Sequence, residues 1–479
     1  MDPTSRAFLD NARAGLADPV LRRALGIAGV GFPARRAEAM ARLPEFEAMR
    51  EQGKAIKDHT IAHLDFYLER YEANVIAAGG MVHWARDAGE ARAAVLDICR
   101  SVGAKIVTKG KSMVAEEIAL NDHLAANGIT PVETDLGEYI IQLRHEPPSH
   151  IIAPAIHLMK EQVTETFRAA HTALDPARAI AEAPQLCAEA RAVLRPQFLA
   201  ADVGITGANF LIAETGSSII VTNEGNGDLT QTLPKIHIVL ASIEKIVPTL
   251  EDAATLLRLL ARSATGQEFS SYTTMSTGPR RPGDLDGPER YHVVLVDNGR
   301  SAMVGSEFRE MLRCLRCAAC LNHCPVYTAI GGHAYGWVYP GPMGAVLTPA
   351  LIGVAEAGDL PNASSFCGRC ESVCPVKIPL PKLMRNWRER QFAQRLVAPR
   401  YRDALRLWAW VAQRPELYHR MVEVKARLLG WLGKRRGRFR ALPLAGGWTG
   451  LRDMPAPEGR SFHALWADRQ RAAQRRQLR

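Results

Sequence analysis

Seven of the nine cysteines fall between positions 314 and 374. The stretch CLRCAACLNHCP (Cys314 to Pro325) reads C-x2-C-x2-C-x3-C-P, and CGRCESVCP (Cys367 to Pro375) reads C-x2-C-x3-C-P, with Ser364 where a further cysteine would complete it. Thiolate is the soft ligand of iron–sulfur clusters, and in two-cluster ferredoxins the cysteine after the three-residue gap serves the other cluster. That rule assigns Cys314, Cys317, Cys320 and Cys374 to one [4Fe–4S] cluster. It leaves Cys324, Cys367 and Cys370 for a second with three thiolates. The second is then a [3Fe–4S] centre, or a [4Fe–4S] centre whose fourth iron takes Ser364, another side chain or a small ligand. Zinc is the rival for C-x2-C pairs, but seven cysteines with two C-P endings fit the ferredoxin pattern. Clusters side by side carry single electrons, so the oxidisable substrate must come from elsewhere.

Other residues point to a ligand. KGKSM (Lys109 to Met113) follows a strand and opens a helix, where Lys109, Lys111 and a capping Ser112 suit an anion. It is not a Walker loop, because the spaced glycines are absent. Glu133 and Asp135 end a strand, where ligands gather in α/β sheets. Glu214, Asn223 and Glu224 stand beside glycine turns, and carboxylates near one cleft are suited to acid/base work. No G-x-G-x-x-G follows a strand, so a dinucleotide site has no support. In GGHAYGWVYPG, between the cysteine motifs, His333, Tyr335 and Trp337 are suited to shielding a cluster from water.

The elements that must position these residues follow from periodicity. Residues 1–65 read as a helical segment with no chemistry of its own. Residues 66–300 alternate strands and helices, which implies an α/β domain with a largely parallel, covered sheet. Its strands include ANVIAAGG, AKIVTKG, ITPVETD, KIHIVLASI, SSYTTMSTG and YHVVLVDNG, with a strand pair in ANFLIAETGSSIIVTNEGNG. A single helix is expected from Ser112 to the stop at Gly128, and another over LEDAATLLRLLARSATG. Residues 301–395 are helix and loop around the cysteines. Residues 396–479 form a basic, partly helical extension with five of the eight tryptophans. Cys99 and Cys187 each read as buried filler on an apolar helix face.

The chain has 479 residues and a formal charge of +10, with the excess in the extension after residue 395. The body is close to neutral, so nucleic acid is not an expected partner. Tryptophan, leucine and arginine in LLGWLGKRRGRFRALP suit a partner surface or an anionic membrane face. No apolar run is long enough to span a bilayer, and the opening residues lack the pattern of a signal peptide. The expected compartment is the cytoplasm, with peripheral contact at the inner membrane face through the tail.

The segments KSMVAEEIALNDHL, VETDLGEYIIQL, GITGANFLIAETGSSIIVTNEGNGDL, HVVLVDNGRS, CLRCAACLNHCPVY, GGHAYGWVYPGPMGAVLTP and CGRCESVCPVKIPL together resemble the lactate utilization protein B family. The likeness runs over roughly residues 70–390, and the serine at position 364 is part of the family pattern. It implies a lactate-utilization domain related to the sugar-phosphate isomerase and CoA-transferase group, followed by a dicluster ferredoxin domain. It also implies an iron–sulfur electron-transfer subunit, rather than a complete enzyme, in a system oxidising L-lactate to pyruvate for growth on lactate. Two partners are implied: a cysteine-rich cluster-binding subunit and a second protein with a lactate-utilization domain. A redox-sensing or regulatory iron–sulfur protein with an α/β ligand-binding module is the alternative.

Overall fold

Short runs dominated by Val, Ile and Leu pair side by side and set the architecture. In the computed structural model, which describes residues 3–477 except 444 and 451, ten strands belong to the α/β region. They are β1 (Met81–Ala85), β2 (Ile106–Gly110), β3 (Thr130–Glu133), β4 (Val203–Thr206) and β5 (Phe210–Ile212), then β6 (Ser217–Thr222), β7 (Ile236–Ser242), β8 (Ile246–Val247), β9 (Tyr272–Ser276) and β10 (Arg290–Val296). The main sheet has the order β1-β10-β7-β4-β2-β3, and every pair is parallel. Both faces are covered, which is why β4 and β7 are buried along their whole length. Ile238, Leu240 and Val294 enter one core layer, while Val239, Ala241, Val293 and Leu295 enter the layer on the opposite face. A second, mixed sheet has the order β8-β5-β6-β9.

The strand order matters for the site. From β2 the chain moves outward to β3, then returns to place β4 on the other side of β2. Such a reversal opens a crevice at the carboxyl ends of the strands, where α/β folds hold ligands. Gly207, just past β4, keeps this end open: a Cβ there would stand 2.9 Å from the Lys111 carbonyl oxygen and 3.2 Å from Ser112 Cα.

The cysteine segment folds onto the α/β region through a shared core. Phe46, Met49 and Ile56 of the helix Phe46–Ala62 and Leu256 and Leu259 of the helix Leu250–Ala264 join Met311, Leu321, Val376 and Leu383 in one apolar cluster. Gly53 permits the close approach, since a Cβ there would lie 2.6 Å from Leu259 Cδ1. The amino-terminal helices are therefore part of the unit that holds the cysteines. The chain divides into two compact units at residues 391 and 392. Within the second, Pro399–Ala412, Pro415–Gly433 and Phe462–Gln477 are helices, and Trp408, Trp410 and Trp431 are exposed. Among the described residues no helix is long and apolar enough to cross a membrane.

Three local expectations are corrected. ANVIAAGG is not a strand: Leu64–Ala77 is helical, and Tyr71 and Val75 are its fully buried face. A short apolar run carries no period to separate helix from strand, and the edge strand is the next run, MVHWA. The helix expected from Ser112 to Gly128 is broken into Met113–Glu117 and Leu120–Ala126 by Ala119, at φ 52°. The break is supported by Arg92, whose Nη1 donates to the Ile118 carbonyl at 2.9 Å. Cys187 is exposed rather than buried. The helix Ala183–Ala200 buries Leu186, Ala190, Leu194 and Phe198, and Cys187 lies one step off that stripe. Cys99 is buried, and burial pushes its thiol up to about 12.

Candidate iron–sulfur centre and adjoining cavity

Cys314, Cys317, Cys320 and Cys374 line one small enclosed cavity together with Ile151, Met343 and Ile378. Three come from the loop and short helix after Arg313, and the fourth arrives from the second motif. The first loop coils through left-handed backbone at Arg316 (φ 60°) and Ala318 (φ 61°), which turns successive cysteines toward one centre. Backbone amides already face the sulfurs: Arg316 N–H reaches Cys314 Sγ at 3.4 Å, and Ile378 N–H reaches Cys374 Sγ at 3.4 Å. Burial pushes the Cys317 thiol up to about 12 and the Cys374 thiol up to about 11, with neighbouring cysteines adding to the effect. A sulfur set in such a site holds charge only when a metal takes the protons' place.

The other three cysteines influence one another in a second place. Burial raises the Cys324 and Cys370 thiols; a charge on Cys367 adds to the effect at Cys324, and charges on Cys324 and Cys367 add to it at Cys370. Cys324 and Cys370 are buried, whereas Cys367 is exposed. Ser364 is half-buried, and its Oγ accepts the Phe366 amide at 3.0 Å. Tyr335 is fully buried and its hydroxyl has no partner among the described residues. Burial first, then the charge of Cys324, raises its phenol, and Cys320 and Cys370 contribute too. This orphaned donor is in electrostatic reach of cysteines from both sets. Both sets therefore fit iron–sulfur clusters: soft donors, amides directed at sulfur, and an unspent hydroxyl nearby. No group of three or more His, Cys, Asp and Glu among the described residues converges as a single ion requires.

Residues with no chemical signature in the sequence hold the loops in place. Arg50 donates to the Cys374 carbonyl from Nε at 3.0 Å and from Nη2 at 2.7 Å, and to the Ser372 carbonyl at 3.0 Å. Arg36 donates to the Val373 carbonyl at 2.9 Å. Both come from the amino-terminal helices expected to carry no chemistry. Of the shielding residues, Tyr335 and Trp337 are buried, and the half-buried His333 ring pairs with the Pro147 carbonyl at 2.8 Å.

A larger cavity of about 500 Å³ lies at the carboxyl ends of the strands. Lys111 and Ser112 follow β2, Asp135 follows β3, Asn209 follows β4 and Lys245 follows β7. Asn223 and Glu224 face it from beyond β6, and Arg316 and Tyr339 close it from the cysteine segment. Ile151 lines both this cavity and the sulfur-lined one. Within it, Lys111 Nζ donates to the Ile152 carbonyl at 2.7 Å and lies 3.5 Å from Asp135. Ser112 caps the following helix through the Ala115 amide at 3.2 Å, and Asp135 caps another through the Gly137 amide at 3.0 Å. Burial raises the Glu224 carboxyl, and Asp135 adds to the effect.

The remaining candidates sit elsewhere. Lys109 and Glu133 are register partners across β2 and β3 and form a buried ion pair at 2.6 Å, with Glu116 completing it at 2.5 Å. None of the three lines the cavity. Glu214 is exposed and accepts the Leu250 amide at 3.2 Å, at the start of the helix Leu250–Ala264. Lys245 and Arg316 were not among the residues that the sequence singled out. Arg316 had a signal, since a charged residue stands inside C-x2-C. Lys245, a lysine after a strand, had none.

A buried charge network ties this cavity to the cysteine loop. Arg300, fully buried, lies 2.6 Å from Glu117 and 2.9 Å from Glu244. Arg316 Nη2 donates to Glu244 at 3.1 Å, and the Tyr339 hydroxyl donates to Glu117 at 2.5 Å. Burial pushes both carboxyls up, but the neighbouring guanidinium charges outweigh it and hold them below the usual range.

Three family models match successive parts of the chain. Residues 68–296 match the LUD domain, residues 310–378 a 4Fe-4S dicluster domain, and residues 375–471 the C-terminal part of lactate utilisation protein B. Lactate utilization protein B of Shouchella clausii is 45% identical over 97% of each chain. The protein of that name from Bacillus subtilis is 43% identical over 97% of this chain and 96% of its own. An Escherichia coli relative described as an uncharacterized electron transport protein, YkgF, is 40% identical over 98% of each. A crystal structure of a DUF162 family protein from Deinococcus radiodurans is 15% identical and covers 49% of this chain and 98% of its own at a TM-score of 0.26, too weak a likeness to carry an argument. With an α/β domain, a dicluster cysteine segment and full-length relatives of one description, the chain belongs to the lactate utilization protein B family.

Proposed function

We propose that this chain is the iron–sulfur electron-transfer subunit of a multi-protein system that oxidises L-lactate to pyruvate, releasing two electrons and two protons. The carrying observation is the meeting of four cysteines around one cavity beside a strand-end cavity, with Ile151 in both walls. Cys314, Cys317, Cys320 and Cys374 would hold a [4Fe–4S] cluster. Cys324, Cys367 and Cys370 would hold a [3Fe–4S] centre, or a [4Fe–4S] centre with a non-cysteine fourth ligand. When bound, such clusters supply reversible one-electron transfer. The protein's own part is to fix the sulfurs, shield them with Tyr335 and Trp337, and hold the loops by Arg36 and Arg50.

Two partners complete the reading: a cysteine-rich cluster-binding subunit and a second protein with a lactate-utilization domain. The exposed tryptophans of the basic extension support its use as a docking surface, on the cytoplasmic side and in reach of the inner membrane face. Growth on lactate as sole carbon source tests the function in a strain with no second lactate dehydrogenase. Deleting the gene should abolish growth, and the full chain, but not its Cys314→Ser variant, should restore it. Normal growth of the deletion strain would refute the reading. The exposure of Cys367 favours the redox-sensing alternative, which predicts altered transcripts with lactate-dependent electron flow intact.

A further inference from the structure

We propose that the strand-end cavity binds a small 2-hydroxy carboxylate, its carboxylate between Lys245 and Arg316 and its hydroxyl toward Glu224 and Asp135. The inference rests on the proposed role in lactate oxidation for the identity of the acid, and on the cavity for its class.

Two cations in the wall have unspent capacity. Lys245 is 8% exposed and makes no hydrogen bond or ion pair among the described residues. Arg316 has a 9% exposed side chain: Nη2 is engaged by Glu244, while Nη1 is buried with no partner. A buried N–H left unpaired is costly, and an acceptor brought to the Arg316 end of the cavity would relieve it. Arg300, Arg316, Lys57 and Lys245 gather near the carboxylates of Glu117 and Glu244 and the cluster cysteine Cys314. Lys57 is engaged by the Glu244 carbonyl at 2.6 Å. Lys245 and Arg316 line the open cavity and not the sulfur-lined one. A guanidinium beside an ammonium is the arrangement that holds a carboxylate.

The rest of the lining narrows the class. Asp135, with Lys111 3.5 Å away, and Glu224 line the cavity too, and their carboxylates would accept a hydrogen bond from a hydroxyl and disfavour a second anionic group. Much of the remaining lining is apolar, with Ile140, Ile151, Ile220, Leu240 and Leu260. A monocarboxylate with a hydroxyl and a short alkyl group satisfies all three regions. At about 500 Å³ the cavity also admits longer chains than lactate.

The test is calorimetric titration of the anaerobically purified, iron-loaded full chain with L-lactate, 2-hydroxybutyrate, propionate, lactamide and inorganic phosphate. Saturable binding of L-lactate and 2-hydroxybutyrate is expected, with propionate weaker and lactamide silent. Lys245→Gln should weaken L-lactate at least tenfold, with iron content and the reduced EPR line shape unchanged. Glu224→Gln, a second and independent variant, should reduce the advantage of L-lactate over propionate. Phosphate displacing L-lactate would overturn the assignment. So would loss of iron in Lys245→Gln with unchanged affinity in the loaded fraction, because the lysine would then serve the cluster. No saturable L-lactate binding to protein of full iron content also overturns it, and if that same chain restores growth on lactate, the electron-transfer role survives. Failure of that role shows separately, as growth of the deletion strain.

Discussion

Arg316 Nη2 lies 3.1 Å from Glu244 Oε1, so a side chain from inside the first cysteine motif is anchored on the residue that follows strand β7. Glu244 in turn lies 2.9 Å from Arg300. This buried relay fixes the cysteine loop against the sheet and brings Arg316 to the cavity wall.

Glu244→Ala should be among the most damaging single changes away from the cysteines. It leaves the Arg300 and Arg316 charges partly uncompensated in the interior, a situation that costs about 3–5 kcal/mol. The thermal midpoint of the loaded protein should fall by several degrees, with iron lost faster on warming. Because Glu244 is held below the usual carboxylate range, its contribution is fully present above the unfolded carboxylate value. It is lost only as the pH falls through the still lower folded value. The Glu244→Gln penalty should therefore be flat from pH 8 to pH 5, and a penalty that shrank steeply over that window would contradict the network.

Separate serine substitutions should dissect the two sulfur sets. With about seven or eight irons per loaded chain, Cys314→Ser should remove the four-thiolate cluster and Cys367→Ser only the other. Iron analysis with low-temperature EPR reads both. Equal loss from the two variants would mean that the sets assemble as one unit.

Arg50→Ala tests whether the amino-terminal helices belong to the cluster machinery. Its guanidinium is shared by the Cys374 and Ser372 carbonyls, and hydrogen bonds to a charged group contribute about 1.5–3 kcal/mol. The variant should fold and load iron, yet lose the four-thiolate signal sooner under mild chelation than wild type. Equal rates of loss would reduce Arg50 to a bystander.

His237 supplies a pH signature for the sheet. Burial lowers its imidazole to about 3, and it pairs with Thr206 Oγ1 at 2.8 Å. A folded value below the unfolded one means the neutral ring stabilises fully above about pH 6.5 and progressively less as the pH falls toward the folded value. Over that window the slope is about 1.4 kcal/mol per pH unit. His237→Gln should flatten the fall in unfolding midpoint between pH 6 and pH 5, and an unchanged slope would show that other groups carry it.

Much of the site was legible because covalent spacing encodes it. Cys314, Cys317 and Cys320 need only a short coiled loop to converge, and strands as apolar as IHIVLAS declare burial on both faces. Lys111 and Ser112, singled out at a helix start, Asp135 at a strand end, and Asn223 and Glu224 beside glycine turns all line the cavity, whereas Glu214, singled out beside a glycine turn as well, does not. Lys109 and Glu133 look the same in sequence. They differ because the register of β2 and β3 sets them opposite each other, where they neutralise one another.

By itself the sequence determined the cluster chemistry, the division into an α/β region and a cysteine segment, and the parallel character of the sheet, because ligand spacing and apolar runs are local properties. Only the tertiary structure decided which charges stay unspent. Lys245 and Arg316 are far apart in the chain, and whether a buried cation finds a carboxylate or faces an open cavity depends on long-range packing. The same holds for Arg36 and Arg50, whose donors meet cysteine-loop carbonyls only because the amino-terminal helices share the core beneath the cysteines.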